Sequence, residues 1–419
     1  MKAYFFLIFL LAPSILFAAK NSWKVVIYMQ ADNNLASYAF WDLAEIQQNI
    51  SDQIPVLVHL DLPDKENLYH LKVQRDEKEI VFSKEEFDKW SIENIQQHIV
   101  KKIPETNDQN QQESLLSFLI ESEKEYPTEN TLLVFWGHGE GYSFDQNSAF
   151  GGIALDENPK SKLTISEIND VISAYNKESN KELNIVAFDA CLMQTLEVMS
   201  EFNSEVKFIV GSTQIQDYRG LPYDQILSYM NHALALDSSD SDSSEDYYLA
   251  KKLPELFDIS AKEQLMYQKS TMSVVALSQL HNDFLHEFDL LMKVINVELS
   301  ANFEKLLAIQ FKLAQLPRFL GESIDIKFLL AQFEDIFSEN PVVFYQLLKA
   351  EDALDRMILN YYYGASYFEN QNYFLGQFRA LGIWLPSGQY VFESRINDFK
   401  NSSFYEKVNN WNLFLELIF

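Results

Sequence analysis

Short runs of branched and aromatic residues recur along the chain, divided by polar turns and by stretches with helical spacing. "WKVVIYM" (Trp23 to Met29) predicts a buried strand, the turn "QADNNL" follows, and Ala36 to Gln48 has the spacing of a helix. "IPVLVHLDL" (Ile54 to Leu62) predicts a second strand, and "NLYHLKVQRDEKEIVFS" alternates like a hairpin around a charged turn at Arg75 to Lys78. "ESLLSFLIESEKEY" places Leu115, Leu116, Leu119 and Ile120 on one helical face and ends at Pro127. "TLLVFWGHG" then predicts a strand running into glycines. "TISEINDVISAY" opens with Thr164 and, three residues on, Glu167, the pattern of a capping box. "LNIVAFDAC" predicts another strand, Leu192 to Phe202 a helix, "VKFIVGST" a strand, and "PYDQILSYMNHAL" a helix with Pro222 near its start.

This alternation predicts an α/β fold with a mainly parallel central sheet and helices on both faces, from about residue 23 to residue 235. "DSSDSDSSED" (Asp237 to Asp246) then reads as an acidic linker. It lacks the glycine at the sixth position that an EF-hand loop needs. Beyond it, Met272 to Leu280 predicts a strand, Phe284 to Phe368 a long and mostly helical stretch, and Ala380 to Pro386 a late strand. The C-terminal third is therefore expected to be helix-rich and to pack on the sheet.

Composition narrows the setting. The chain has 419 residues, 47% of them hydrophobic, which is enough for a large core. Residues 1–18 have the form of a signal peptide: Lys2, an apolar stretch from Ala3 to Phe17, and small residues before a cut after Ala18. The expectation is an exported protein, periplasmic or extracellular, with no membrane span once the signal is removed. A net charge of −28 argues against nucleic-acid and anionic-membrane partners and would attract basic ones. A single cysteine, Cys191, cannot form an internal disulfide.

Candidate chemistry gathers at two strand ends. Ligands of an open α/β sheet bind at the carboxyl ends of its strands. "TLLVFWGHGEG" delivers His138 there and "LNIVAFDAC" delivers Cys191. A thiol at a helix start would have a lowered pKa, and a nearby histidine would serve as general base and acid. The amides of Gly139 and Cys191 would form an oxyanion hole. Competing motifs fail: "GHGEGY" has Tyr142 where a dinucleotide loop needs glycine, Leu290 stands where a zincin needs its second histidine, and no G-x-S-x-G occurs. His59 and His70 lie inside strand-like runs and read as structural. An inert buried thiol is the competing reading of Cys191.

The histidine precedes the cysteine by 53 residues, close to the ~50 of caspases. In its blocks "VVIYMQADNNL", "LLVFWGHGEGY", "IVAFDACLMQTLEV", "FIVGSTQ", "GLPYDQIL", "MSVVALSQL" and "ALGIWLP", the chain resembles the clostripain-like cysteine peptidases, relatives of caspases, legumain and gingipain. The resemblance implies a caspase-like catalytic core over 19–246 and a helix-rich region over 247–419 that adds late strands. It also implies a His138–Cys191 dyad with no obligatory third member, and cleavage after Arg or Lys. Asp189 matches the family's position near the acidic P1 pocket, with fixing of the strand–helix turn as its alternative role. Asp217 is the candidate for a further pocket wall and Asp224 the reserve. Family members often carry glutamate after their "GS" pair, where this chain has Thr213-Gln214.

The resemblance further implies processing between histidine and cysteine, here after Lys160 or Lys162 in the polar stretch "DENPKSKLTI". No cofactor is required. Clostripain-type enzymes can need calcium, which an acidic chain could bind loosely, but no defined metal site is evident. A monomer acting on protein or peptide substrates is expected. The alternative is a catalytically silent caspase-like protein that holds a basic peptide in the same crevice.

Overall fold

The computed structural model describes residues 22–63, 67–76, 78, 80–104, 110–142, 152–157, 160–203, 205–232, 234, 243–264, 270–320, 322–364 and 378–419. The signal segment and most of the acidic linker lie outside these residues. Thirteen strands are described: β1 (Trp23–Gln30), β2 (Val56–Asp61), β3 (Asn67–Lys72), β4 (Ile99–Pro104), β5 (Asn130–Trp136), β6 (Ile153–Glu157), β7 (Lys160–Leu163), β8 (Leu183–Asp189), β9 (Val206–Gly211), β10 (Thr271–Ala276), β11 (Ser323–Asp325), β12 (Ile358–Tyr363) and β13 (Gly382–Trp384). Nine of them form one sheet in the order β12-β10-β9-β8-β5-β1-β2-β3-β4.

Its centre, β9-β8-β5-β1-β2, is parallel, and the strands added at either edge are antiparallel. The central strands β1, β2, β5 and β8 are buried along nearly their whole length and mostly apolar, because both faces are covered. Val26, Tyr28, Leu133, Phe135, Val186 and Phe188 face one core, which holds helices Gln111–Glu125, Ile165–Ser179 and Leu285–Ala301. Val25, Ile27, Met29, Leu132, Val134 and Trp136 face the other, with helices Ala36–Asn49, Tyr223–His232 and Glu245–Gln264. Neighbours in register, such as Val25 with Leu132 and Val26 with Leu133, therefore share a face.

Several expectations need correction. The stretch after Lys72 is not the second arm of a hairpin; β3 pairs instead with β2 and with β4, an edge strand whose lysines point to solvent. The helix expected from Leu192 runs only over Leu196–Glu201 and is capped by the Thr195 side chain. The strand expected over Met272 to Leu280 ends at Ala276. The long helical stretch ends in β12, which pairs antiparallel with β10 at the sheet edge. Asp246, placed in the linker, already belongs to helix Glu245–Gln264. "DENPKSKLTI" is not a loop throughout, since β6 and β7 pair antiparallel across it. The capping box at Thr164 and Glu167 forms as the sequence predicts.

Candidate active site

Three adjacent strands, β1, β5 and β8, end on the same edge of the sheet. Parallel register runs to Met29–Trp136 and to Trp136–Asp189, so the residues just beyond these positions emerge side by side. The Gly137 amide donates to the Asp189 carbonyl (3.2 Å), which extends the β5–β8 ladder by one bond. His138 and Cys191 each lie two residues beyond the last paired positions of their strands.

The closeness of the two turns is visible at Gly139. A Cβ built there would stand 2.4 Å from the Cys191 carbonyl oxygen, 2.9 Å from the Ala190 Cβ and 3.1 Å from the Cys191 amide nitrogen. Only a residue without a side chain fits, so the "GHG" of the sequence records a backbone contact between the two loops. Gly137, with φ of 143°, makes the corresponding approach to β1: its Cβ would stand 2.9 Å from the Gln30 carbonyl oxygen.

Cys191 is half-buried. Its neighbour Leu192 has φ of 65°, a left-handed conformation that a leucine adopts at a cost of about 1–2 kcal/mol. Hydrogen bonds hold this turn: Leu192 N donates to Gln214 O (3.1 Å) and Gln194 N to Ser212 O (3.0 Å). The same segment delivers the Gln216 amide to the Cys191 sulfur at 3.3 Å. Burial pushes the thiol pKa up, the Gln216 amide pulls it down, and the Asp189 charge pushes it up again; the net direction is upward. The sequence-based expectation of a thiol lowered by a helix dipole therefore fails. The helix begins five residues after Cys191 and is only six residues long.

His138 is half-buried, and its Nε2 lies 2.6 Å from Asn34 Oδ1 in the turn after β1. Asn34 was not singled out from the sequence, nor was Gln216. The signal for Asn34 was available, because it follows a neighbouring strand end just as His138 and Cys191 do.

Asp189 is buried, and its carboxylate accepts from Gln216 Nε2 (2.8 Å), Leu221 N (3.0 Å) and the Tyr223 hydroxyl (2.9 Å). Burial raises its pKa to about 6, against the lowering effect of the Leu221 and Tyr223 bonds. These contacts tie the loop over residues 214–223 to the end of β8. Asp217 is half-buried on that loop beside Gln216, and its Oδ1 accepts from Arg219 N (3.3 Å). Asp224 lies in the first turn of helix Tyr223–His232. Beneath them Asp42 accepts from Trp136 Nε1 (2.6 Å), and burial together with the Asp189 and Glu45 charges holds its pKa well above the usual carboxylate range. Burial and the Asp224 charge raise Glu45 to about 8. The Arg219 guanidinium lies over the Trp41 ring at 4.6 Å.

Lys160 and Lys162 lie on β7, opposite β6. That hairpin hangs from the His138 turn: Gly139 bridges Ile153, Glu140 N donates to Gly152 O (3.0 Å) and Gly152 N to Gly141 O (2.9 Å). Among the described residues no three acidic, histidine or cysteine side chains cluster as a metal site. Nor is any described helix long and apolar enough to cross a membrane.

Comparison with solved structures supports this architecture. A secreted C11 cysteine protease from Bacteroides thetaiotaomicron, in complex with an irreversible peptide inhibitor, superposes with a TM-score of 0.59 at 16% identity, covering 93% of this chain and 99% of that one. An inactive zymogen C11 protease from Parabacteroides distasonis gives 0.57 at 18% identity, covering 93% and 98%. At these identities the likeness speaks for the fold. No curated protein sequence matches. The clostripain family model matches residues 27–417, from within β1 to the last helix and including both strand ends that carry His138 and Cys191. The chain belongs to the clostripain family of cysteine peptidases.

Proposed function

We propose that this peptidase cleaves after Arg or Lys, with Cys191 as nucleophile and His138 as the acid–base partner. The observation that carries this reading is the contact of Gly139 with Ala190 and Cys191, which sets the histidine turn against the cysteine turn. Because burial holds the thiol pKa up, the sulfur enters the reaction as a neutral thiol. His138 takes the Sγ proton as sulfur adds to the carbonyl carbon, so no resting ion pair is required. The amides of Gly139 and Cys191 receive the oxyanion, a donor of this kind being worth about 3–4 kcal/mol. The C–N bond then breaks, His138 protonates the departing amine, and a thioester remains. Water, deprotonated by His138, hydrolyses the thioester and returns the thiol.

The basic preference is supported by the acidic groups under the loop over residues 214–223. Asp189 already accepts three protein donors, so the half-buried Asp217 is the preferred partner for a substrate guanidinium, with Asp224 in reserve. Export rests on the signal-like residues 1–18 and accords with a structural neighbour described as secreted. Processing after Lys160 or Lys162 would cut the hairpin that hangs from the His138 turn, and β7 must first unpair from β6 to enter an active site. On denaturing gels the wild type would show two fragments and Cys191→Ala one; an uncut, fully active wild type would remove the processing step from the account.

Fluorogenic peptides ending in Arg, Lys or Asp test the main reading. Turnover of the basic peptides, lost in both Cys191→Ala and His138→Ala, is expected. Peptide binding without turnover would instead identify a silent binding protein.

A further inference from the structure

We propose that Asn34 is a positioning residue that holds the His138 ring with its proton on Nε2 and leaves Nδ1 for proton transfer. The inference rests on the peptidase reading but has its own observation, the 2.6 Å contact between His138 Nε2 and Asn34 Oδ1. A carboxamide oxygen only accepts, so Nε2 must be the donor. In the neutral ring the basic lone pair is then at Nδ1, and Nδ1 is the atom that takes the thiol proton and later passes it to the leaving amine. When Nδ1 gains the proton, the bond from Nε2 becomes charge-assisted and strengthens, so Asn34 also favours the imidazolium.

The turn that carries Asn34 is braced on both sides. The Asn33 side chain donates from Nδ2 to Gln30 O (3.1 Å) and accepts from Leu35 N at Oδ1 (2.9 Å). Gln30 in turn bonds Asp61 across to β2, and its carbonyl lies against Gly137. Asn34 is therefore fixed relative to the end of β5 although its side chain is exposed. A surface asparagine merely filling the turn before helix Ala36–Asn49 would face no functional group. This one meets His138 from a third strand end, beside those of β5 and β8.

The test uses full-length wild type, N34A and N34D, with histidine 15N NMR titrations assigned by H138Q and with kcat and KM for a basic peptide across pH. In the wild type, the neutral His138 ring should carry its proton on Nε2. N34A should lose this preference and lower kcat about 10- to 100-fold with KM changed less than about twofold. N34D retains an acceptor and adds a charge. It should restore most of kcat and move the His138 titration, with the acidic limb of kcat/KM, to higher pH by about one unit or more.

A wild-type ring protonated on Nδ1 would overturn the proposal. So would an N34A enzyme with kcat within twofold and an unchanged pH profile, or a loss that N34D does not restore. If the wild type turned over no peptide, the NMR titrations would still decide the Asn34 contact, and the peptidase reading would be the one to fall.

Discussion

At the scale of single residues, the resting state of Cys191 departs most from what the sequence suggests. A cysteine after a strand and before an apolar helical stretch reads as a thiolate at a helix start. The left-handed Leu192 and the Thr195 cap push the helix four residues downstream and leave the sulfur half-buried without a dipole behind it. The Gln216 amide, and to a lesser extent the amide of Cys191 itself, favour the anion, and burial outweighs them. Alkylation of Cys191 by iodoacetamide should therefore follow a midpoint above the 9.0 of an ordinary thiol. A midpoint below about 7, typical of an activated thiolate, would contradict the neutral-thiol mechanism. The cysteine itself was legible from its uniqueness and its place after a strand. Its environment was not, because the Gln216 amide reaches it on a loop closed only by tertiary contacts.

At the scale of elements, the apolar runs of β1, β5 and β8 were legible because buried parallel strands carry no alternation to misread. The edge strands were not. "IVKKIP" is solvated on one side, and "ILNYYY" continues directly from a helix. Where β5 and β8 end, backbone touches backbone, and Gly139→Ala should force the two turns apart. The expected result is a folded protein, by circular dichroism, with kcat/KM reduced at least about 10-fold. Unchanged activity would mean that the close approach at Gly139 has no part in catalysis.

A second element-level contact concerns stability. Lys24, buried in β1, pairs with Glu123 of helix Gln111–Glu125, which also receives Lys181. Burial raises the Glu123 pKa, but the bonds from Lys181 and Lys24 outweigh it and the net direction is down. A carboxylate lowered in the folded state contributes stability above its unfolded pKa of about 4.5 and loses it as pH falls through the folded value. Glu123→Ala should cost about 3–5 kcal/mol at pH 7, by taking from the Lys24 and Lys181 ammonium groups the carboxylate they share. In urea titrations the gap between wild type and variant should narrow as pH drops below 4.5. A gap that widened would reverse the sign of this contribution.

At the scale of the whole molecule, the sheet order joins groups that are far apart in the chain. Because β1, β5 and β8 are consecutive in the sheet, Asn34, His138 and Cys191 share one edge although 104 and then 53 residues separate them. The alternation of strands and helices made a parallel α/β sheet legible, and with it the common edge. Which strands are neighbours is set by packing in two cores on opposite faces, and no local pattern records it. The most direct measurement is intact-mass analysis after incubation with a peptidyl acyloxymethyl ketone that ends in Arg. The account predicts one adduct per chain, mapped to Cys191, no adduct in Cys191→Ala, and slow labelling in His138→Ala. Labelling of the wild type at any other residue, or a Cys191 adduct formed as fast without His138, would contradict a thiol and an imidazole acting together at one sheet edge.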